Sequence, residues 1–243
     1  MRALFDAPFA WWLAADWPLA LAAVLAFHLS IYLVGGSVAS WMTFRLFPAL
    51  DIGHVIDNQP LKPQQIRTEL RNGLLTCGVL AVVSLAYRPL AHGIWPDTLW
   101  QAAWQLGAFV LFNNVYAYGT HRLLHHPWLM PFHSVHHWSV RVTPWSGYSV
   151  HPVEAAVIGG TFVAFMAIVP VGLGTIALLH VMGIVFTSCI HCNHELMPMH
   201  ADDHWLKRLV SDPKFHQLHH EKGRVNYGFT SPWLDRLLNT LGR

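Results

Sequence analysis

Charge is what this chain has least of. Only 12% of its 243 residues are charged and 53% are hydrophobic, whereas soluble domains carry about 25% charged residues. That deficit points to a bilayer as the solvent. A net charge of +2, with no long Lys/Arg run, excludes a nucleic-acid binder. Three cysteines, Cys77, Cys189 and Cys192, cannot build a disulfide framework. Cys189 and Cys192 have CxxC spacing, but they end an apolar run with no second pair and no βαβ context. Small buried residues are expected there. No GxGxxG follows a strand, so no dinucleotide site is indicated. HExxH is also missing, because His194-Glu195 and His220-Glu221 are followed by the wrong spacing, which argues against a zinc hydrolase.

Histidine is the residue in excess. The 18 histidines outnumber both the 15 Lys+Arg and the 13 Asp+Glu, and neutral imidazole suits iron, zinc and copper. Twelve tryptophans are also present, several where apolar and polar runs meet (Trp11, Trp17, Trp41, Trp95, Trp128), as an interfacial belt requires.

Five runs are candidates for spanning helices: Trp17 to Met42, Gly73 to Tyr87, Thr98 to Tyr118, Pro152 to Val169 and Gly174 to Ile190. Pro170 to Gly174 reads as the turn of a helical hairpin, and Asp51 to Gln65 as a loop outside the membrane. The apolar N-terminal region carries Asp6 and Asp16, so a retained first helix is expected rather than a cleaved signal. With five spans, 43–71, 119–151 and 191–243 share one side and hold 13 of the 15 basic residues. The positive-inside rule makes that side cytoplasmic. The expected architecture is an all-α polytopic membrane protein, with about four to five transmembrane helices under a histidine-rich cytosolic cap. Residues 1–97 form the N-terminal helices and connecting loop, and 98–243 form the metal-bearing part of one integrated unit.

Three clusters carry the chemistry: His121 and His125, then His133, His136 and His137, then His216, His219 and His220. Spacings of three and four bring side chains onto one helix face, so each cluster is expected to aim its rings at a common point. Four ligands suffice for a structural zinc, so eight suit two metal ions. Imidazole without thiolate disfavours an iron–sulfur cluster, and the Glu-rich ExxH signature of ferritin-like sites is missing. Two irons with open positions for O2 fit this set, although ligand type alone also admits zinc. A metal transporter would instead want ligands at mid-membrane.

The ordered triple cluster resembles the fatty acid hydroxylase/sterol desaturase superfamily. Ser146-Gly147-Tyr148 leading to His151-Pro152-Val153-Glu154 is similar to its HPxE element, His191-Cys192-Asn193 to its HxN element, and Asn226-Tyr227-Gly228 to its NYG signature. The closing stretch Leu234-Asp235-Arg236-Leu237-Leu238-Asn239-Thr240 departs from the family's Trp-Asp-Arg-Leu-Phe-Gly-Thr, which touches subfamily more than metal binding. The resemblance covers roughly residues 118 to 240. It implies a di-iron centre that oxidises a sterol, fatty acyl, sphingoid or related lipid with O2 as co-substrate. Zinc would be an alternative occupant on purification. Carried over by position, the ligands are the eight clustered histidines, with His191 as a ninth. His194 is a further ligand or a group behind one, and His151 orients the cap or a ligand by a hydrogen bond. His28, His92 and His180 are expected to pack rather than ligate.

Electrons must then come from a separate cytochrome b5-like or ferredoxin-type donor. Lys207, Arg208, Lys214, Lys222 and Arg224 are its docking patch or a plain positive-inside surface. Short length and the lack of a KDEL-type tail point toward a bacterial inner membrane, with the endoplasmic reticulum as the other setting.

Overall fold

A computed structural model describes residues 2–195 and 205–242. In chain order its helices are α1 (Arg2–Ala14), α2 (Trp17–Trp41), α3 (Phe47–Ala49), α4 (Gln65–Ser84), α5 (Leu99–Leu124), α6 (Met130–His137), α7 (Pro152–Ile168), α8 (Leu173–Ile190), α9 (Pro213–Lys222) and α10 (Trp233–Leu237). A π-turn over Met42–Leu46 joins α2 to α3, giving one apolar helical run, Trp17–Ala49. Three helical segments are both long and apolar enough to cross a bilayer: Trp17–Ala49, Gln65–Tyr87 and Leu173–Ile190. A fourth, Pro152–Ile168, is apolar but shorter.

Helix α5 has the length of a span without the same purity, because Gln101, Gln105, Asn113 and Asn114 interrupt it. Its 26 residues at about 1.5 Å each reach about 39 Å. The hydrocarbon layer is about 30 Å thick. The helix is thus longer than that layer by about 9 Å, and its last turns carry His121 and His125. The helix runs to Leu124, past the expected end at Tyr118, so the first histidine pair rides on the span itself.

Packing follows the small and aromatic residues. Helix α4 lies against α2 and α7, while α8 lies against α2 and α5 against α7. Phe162, Phe165 and Met166 of α7 meet Leu173, Ile176 and Leu179 of α8 in the main core, with Trp12 and Tyr87 closing it. Leu33, Val34, Leu74, Leu75, Val110, Leu111, Leu178 and Val185 stay exposed. In water such a belt would be an aggregation surface, and in lipid it is the expected exterior. The chain is a polytopic all-α membrane protein.

The hairpin between α7 and α8 is stitched from outside: Leu173 N bonds Gly93 O (3.1 Å) and Gly174 N bonds Ile94 O (2.8 Å). A Cβ on Gly172 would come within 2.4 Å of Ile94 O, so this approach needs glycine. The expected 51–65 loop contains a feature that the pattern did not indicate. His54–Val55 pairs antiparallel with His194–Glu195, which ties the α3–α4 connection to the end of α8. Two residues per strand leave no alternation to read.

Candidate metal centre

Helix starts and stops place the ligand-bearing turns. In α9, Asp212 caps the N-terminus by accepting from Phe215 N (2.6 Å), Pro213 occupies the first turn, and Gly223 ends the helix at φ 67°. In α7, His151 Nδ1 accepts from Val153 N (3.1 Å). In α8, the helix ends at Ile190 with His191 as its C-cap.

These elements converge on two compact groups of imidazoles. One contains His121, His125, His133, His137 and His219, and the other His136, His191, His216 and His220. Within each group the potential ligand nitrogens lie within 4.8 Å of one another. The two HxxHH clusters therefore do not each aim at a common point. In α6, His133 and His137 enter the first group while His136 enters the second; in α9, His216 and His220 enter the second while His219 enters the first. The reason is angular. Residues i and i+4 lie about 40° apart around a helix, whereas i+3 falls about 60° to the other side. Each of these helices thus reaches both groups.

The donor set fits metal ions. His121 donates Nδ1–H to Tyr227 O (2.8 Å), and His133 directs Nδ1 at Glu154 Oε1 (2.8 Å), yet their Nε2 atoms are 3.1 Å apart. With both Nδ1 protons engaged, neutral rings present only lone pairs to each other, which repel unless a cation lies among them. In the second group His191 donates Nδ1–H to Thr187 O (2.8 Å) and its Nε2 faces His216 Nε2 at 2.9 Å, while the buried Nδ1 of His216 has no hydrogen-bond partner among the described residues. His219 is likewise held by Val225 O (2.6 Å), with His137 Nε2 3.0 Å from its own Nε2. Carbonyls and a carboxylate behind the rings fix the tautomer that ligation requires.

Burial also keeps the rings neutral. It lowers His137 to about 4, with the neighbouring imidazoles adding to the effect. Desolvation followed by the nearby rings pushes His133, His136, His216, His219 and His220 down as well. Neutral imidazole is the ligating form, so no proton need leave before a metal binds at neutral pH.

Two sites of support were not assigned from the sequence. Glu154, quoted only as part of a motif, sits behind His133. Asp235 accepts from Tyr227 N (2.8 Å), Gly228 N (2.7 Å) and Thr240 Oγ1 (2.7 Å). That carboxylate shapes the 225–228 segment, whose Val225 and Tyr227 carbonyls hold His219 and His121. A Cβ on Gly228 would lie 2.6 Å from Asp235 Oδ2 and 2.4 Å from Ser231 O, so the glycine is sterically required. Asn226 takes a positive φ of 59° and bridges Phe215 O and Gly242 N. Backbone carbonyls leave no side-chain signature. Asp235, like Glu154, was quoted only as part of a motif, the closing stretch Leu234 to Thr240.

Glu154→Gln should weaken metal binding by roughly tenfold, the lower end for loss of such a supporting group, because the amide keeps an acceptor but not the charge. Chelator competition measures this; retention of full affinity would remove Glu154 from the ligand support.

Other expected residues lie elsewhere. His194 joins neither group; its Nε2 is 2.6 Å from Ile52 O, in the two-stranded ribbon, and the run following it enters residues outside those described. His151 caps α7 and is not hydrogen-bonded to a ligand ring; Glu154, three residues on, fills that place. His28 and His180 are buried against each other at 5.0 Å between ring centroids, bonded to Ser84 (3.0 Å) and Tyr87 (3.1 Å). Lys207 pairs with Asp212 (3.6 Å) and Glu195 (3.8 Å) at 11% side-chain exposure, so it is spent internally rather than displayed. Cys189 is exposed and Cys192 buried, and both are free.

The family model for fatty acid hydroxylase matches residues 106–240. The chain belongs to the fatty acid hydroxylase family. It is 26% identical over 180 residues to a Delta(7)-sterol 5(6)-desaturase of Gibberella zeae, covering 70% of this chain and 54% of the relative. It is 31% identical over 220 residues to a very-long-chain aldehyde decarbonylase of Oryza sativa subsp. indica, covering 82% of this chain and 33% of that protein. A Delta(7)-sterol 5(6)-desaturase of Aspergillus fumigatus is 24% identical over 230 residues, covering 79% of this chain and 69% of the relative. The chain thus spans about half of the first desaturase and a third of the decarbonylase. No solved structure matches it.

Proposed function

We propose that this chain is an O2-dependent oxidoreductase that acts on an unactivated C–H bond of a membrane lipid, most simply by hydroxylation, with desaturation or demethylation as variants of the same step. The observation that carries the reading is the pair of imidazole groups, nine histidines among the described residues, gathered from the ends of α5 and α8 and from the short helices α6 and α9, in a member of this family. His121, His125, His133, His137 and His219 would hold one iron, and His136, His191, His216 and His220 the other. Bound iron supplies the activation of O2, which amino-acid side chains do not perform.

The chain's own residues position and shield. Glu154, Thr187, Val225 and Tyr227 hold ring tautomers, and Tyr227, with its ring centroid 5.1 Å from that of His125, covers one flank. A cavity of about 450 Å³ opens beside His125 and Tyr227, walled by Gly119, Leu123 and Pro127. Gly119 has no atom near its Cβ position, so the helix surface there is free to receive an apolar chain. Leu123 is exposed on the same helix.

Reducing equivalents would come from a separate cytochrome b5-like or ferredoxin-type protein, docking near Arg208, Lys214, Lys222 and Arg224 around α9. The metal-bearing face would be cytoplasmic, in a bacterial inner membrane or, alternatively, the endoplasmic reticulum. Lipid profiling of a host with and without this gene tests the activity. The expected product is a lipid that has gained one oxygen or lost two hydrogens. An unchanged lipid profile with iron-loaded protein and a competent donor would overturn the proposal.

A further inference from the structure

On the back of α6, away from both imidazole groups, lies a second cavity of about 400 Å³ between α4, α6 and the start of α7. Thr68, Arg71 and Leu75 of α4 form one wall, Ser134 of α6 and Trp138 another, and His151 the third. Among the described residues, no acidic side chain lines it. The nearest acid on α4, Glu69, is fully buried and turned away, its carboxylate accepting from Gln65 (2.8 Å), Ser139 (2.7 Å) and Thr143 (2.5 Å).

One positive charge at this cavity is unspent. Arg71 is exposed and has no hydrogen bond or ion pair among the described residues. Lys62, which does not line the cavity, is engaged with Trp138: it lies over the ring at 4.8 Å and donates to the Trp138 carbonyl, so Arg71 is the cation the cavity has to offer. His151 accepts at Nδ1 from Val153 N, so its neutral ring carries its proton on Nε2 and has a donor to offer. Ser134 and Thr68 add hydroxyls. Below this polar rim, Leu74 and Leu75 of α4 and Val153 of α7 are exposed on the lipid-facing surface. A cationic rim above an apolar wall, at the point where two helices enter the bilayer, matches a phosphate headgroup above an acyl chain.

We propose that this cavity binds the phosphate headgroup of an anionic phospholipid, with one acyl chain lying along Leu75 and Val153. The site is distinct from the metal centre and independent of the reaction assigned to it. It shares walls with the machinery of that centre: Ser134 is flanked by His133, and His151 precedes Glu154 by three residues. A bound headgroup would therefore brace α6 against α7 from behind.

Native mass spectrometry of the full chain in detergent tests this, using dioleoylphosphatidylglycerol, dioleoylphosphatidylcholine and inorganic phosphate as probes. The expected result is tighter retention of phosphatidylglycerol than phosphatidylcholine, by about fivefold for one surface cation, with no comparable binding of inorganic phosphate. Arg71→Gln should abolish that preference while keeping the parent's iron content and melting temperature in lipid-free detergent. Thr68→Glu, which puts an acid on the same wall, should also abolish it and decides the matter should Arg71→Gln not fold. Preference that survives in the folded variants would overturn the proposal, as would inorganic phosphate binding as tightly as the lipid.

Discussion

Replacing His136 with alanine should empty one of the two metal positions, while the same change at adjacent His137 should leave both filled. Among the described residues, His136 is one of four imidazoles in its group, whereas His137 is one of five in the other. A four-ligand set that loses a member retains three, with an open position in place of the fourth imidazole, and holds metal more weakly. The five-membered set keeps four ligands after its loss. Elemental analysis of purified protein should therefore find about one iron per chain in His136→Ala and about two in His137→Ala. Lipid oxidation should vanish in the first and fall less in the second. Equal metal loss from the two variants would mean that the two groups do not act as separate positions.

The second large effect is expected at Asp235. Alanine there strips three donors, Tyr227 N, Gly228 N and Thr240 Oγ1, of their acceptor in a place that water does not reach. Hydrogen bonds to a charged group contribute about 1.5–3 kcal/mol each, and unpaired buried donors cost a similar amount. A net loss of about 3–5 kcal/mol is a reasonable sum after relaxation. For a chain of this size, that corresponds to a melting temperature lower by roughly 6–20 °C. Metal retention should fall with it, since the carbonyls that hold His121 and His219 belong to the segment Asp235 organises. Asp235→Asn should be intermediate: one oxygen still accepts, but the amide nitrogen would confront a backbone N–H. A wild-type melting curve for Asp235→Ala would dismiss this role.

The parts legible in the sequence were those with a period or a composition. Spans showed as apolar runs, and the clusters showed because three- and four-residue spacing marks a helix face. His191 came only through a resemblance, since a single histidine at the end of a span has no spacing partner. The division of ligands between two groups escaped because spacing names a face, while a face about 100° wide can look toward two centres at once. His194 misled for the opposite reason. It stands next to the constellation in sequence, yet the two-residue ribbon turns it toward Ile52. Glu154 and Asp235 were visible as buried acids only after folding, and the carbonyls of Val225 and Tyr227 had no signature at all.

The exchange of ligands between α6 and α9 has a consequence for how the protein fills with metal. Each helix is a crossbar: fixing one of its imidazoles also fixes the turn that carries the imidazole for the other centre. A first ion would bear the cost of ordering both helices, and a second would find its ligands already aligned. Loading of the intact protein should therefore be cooperative.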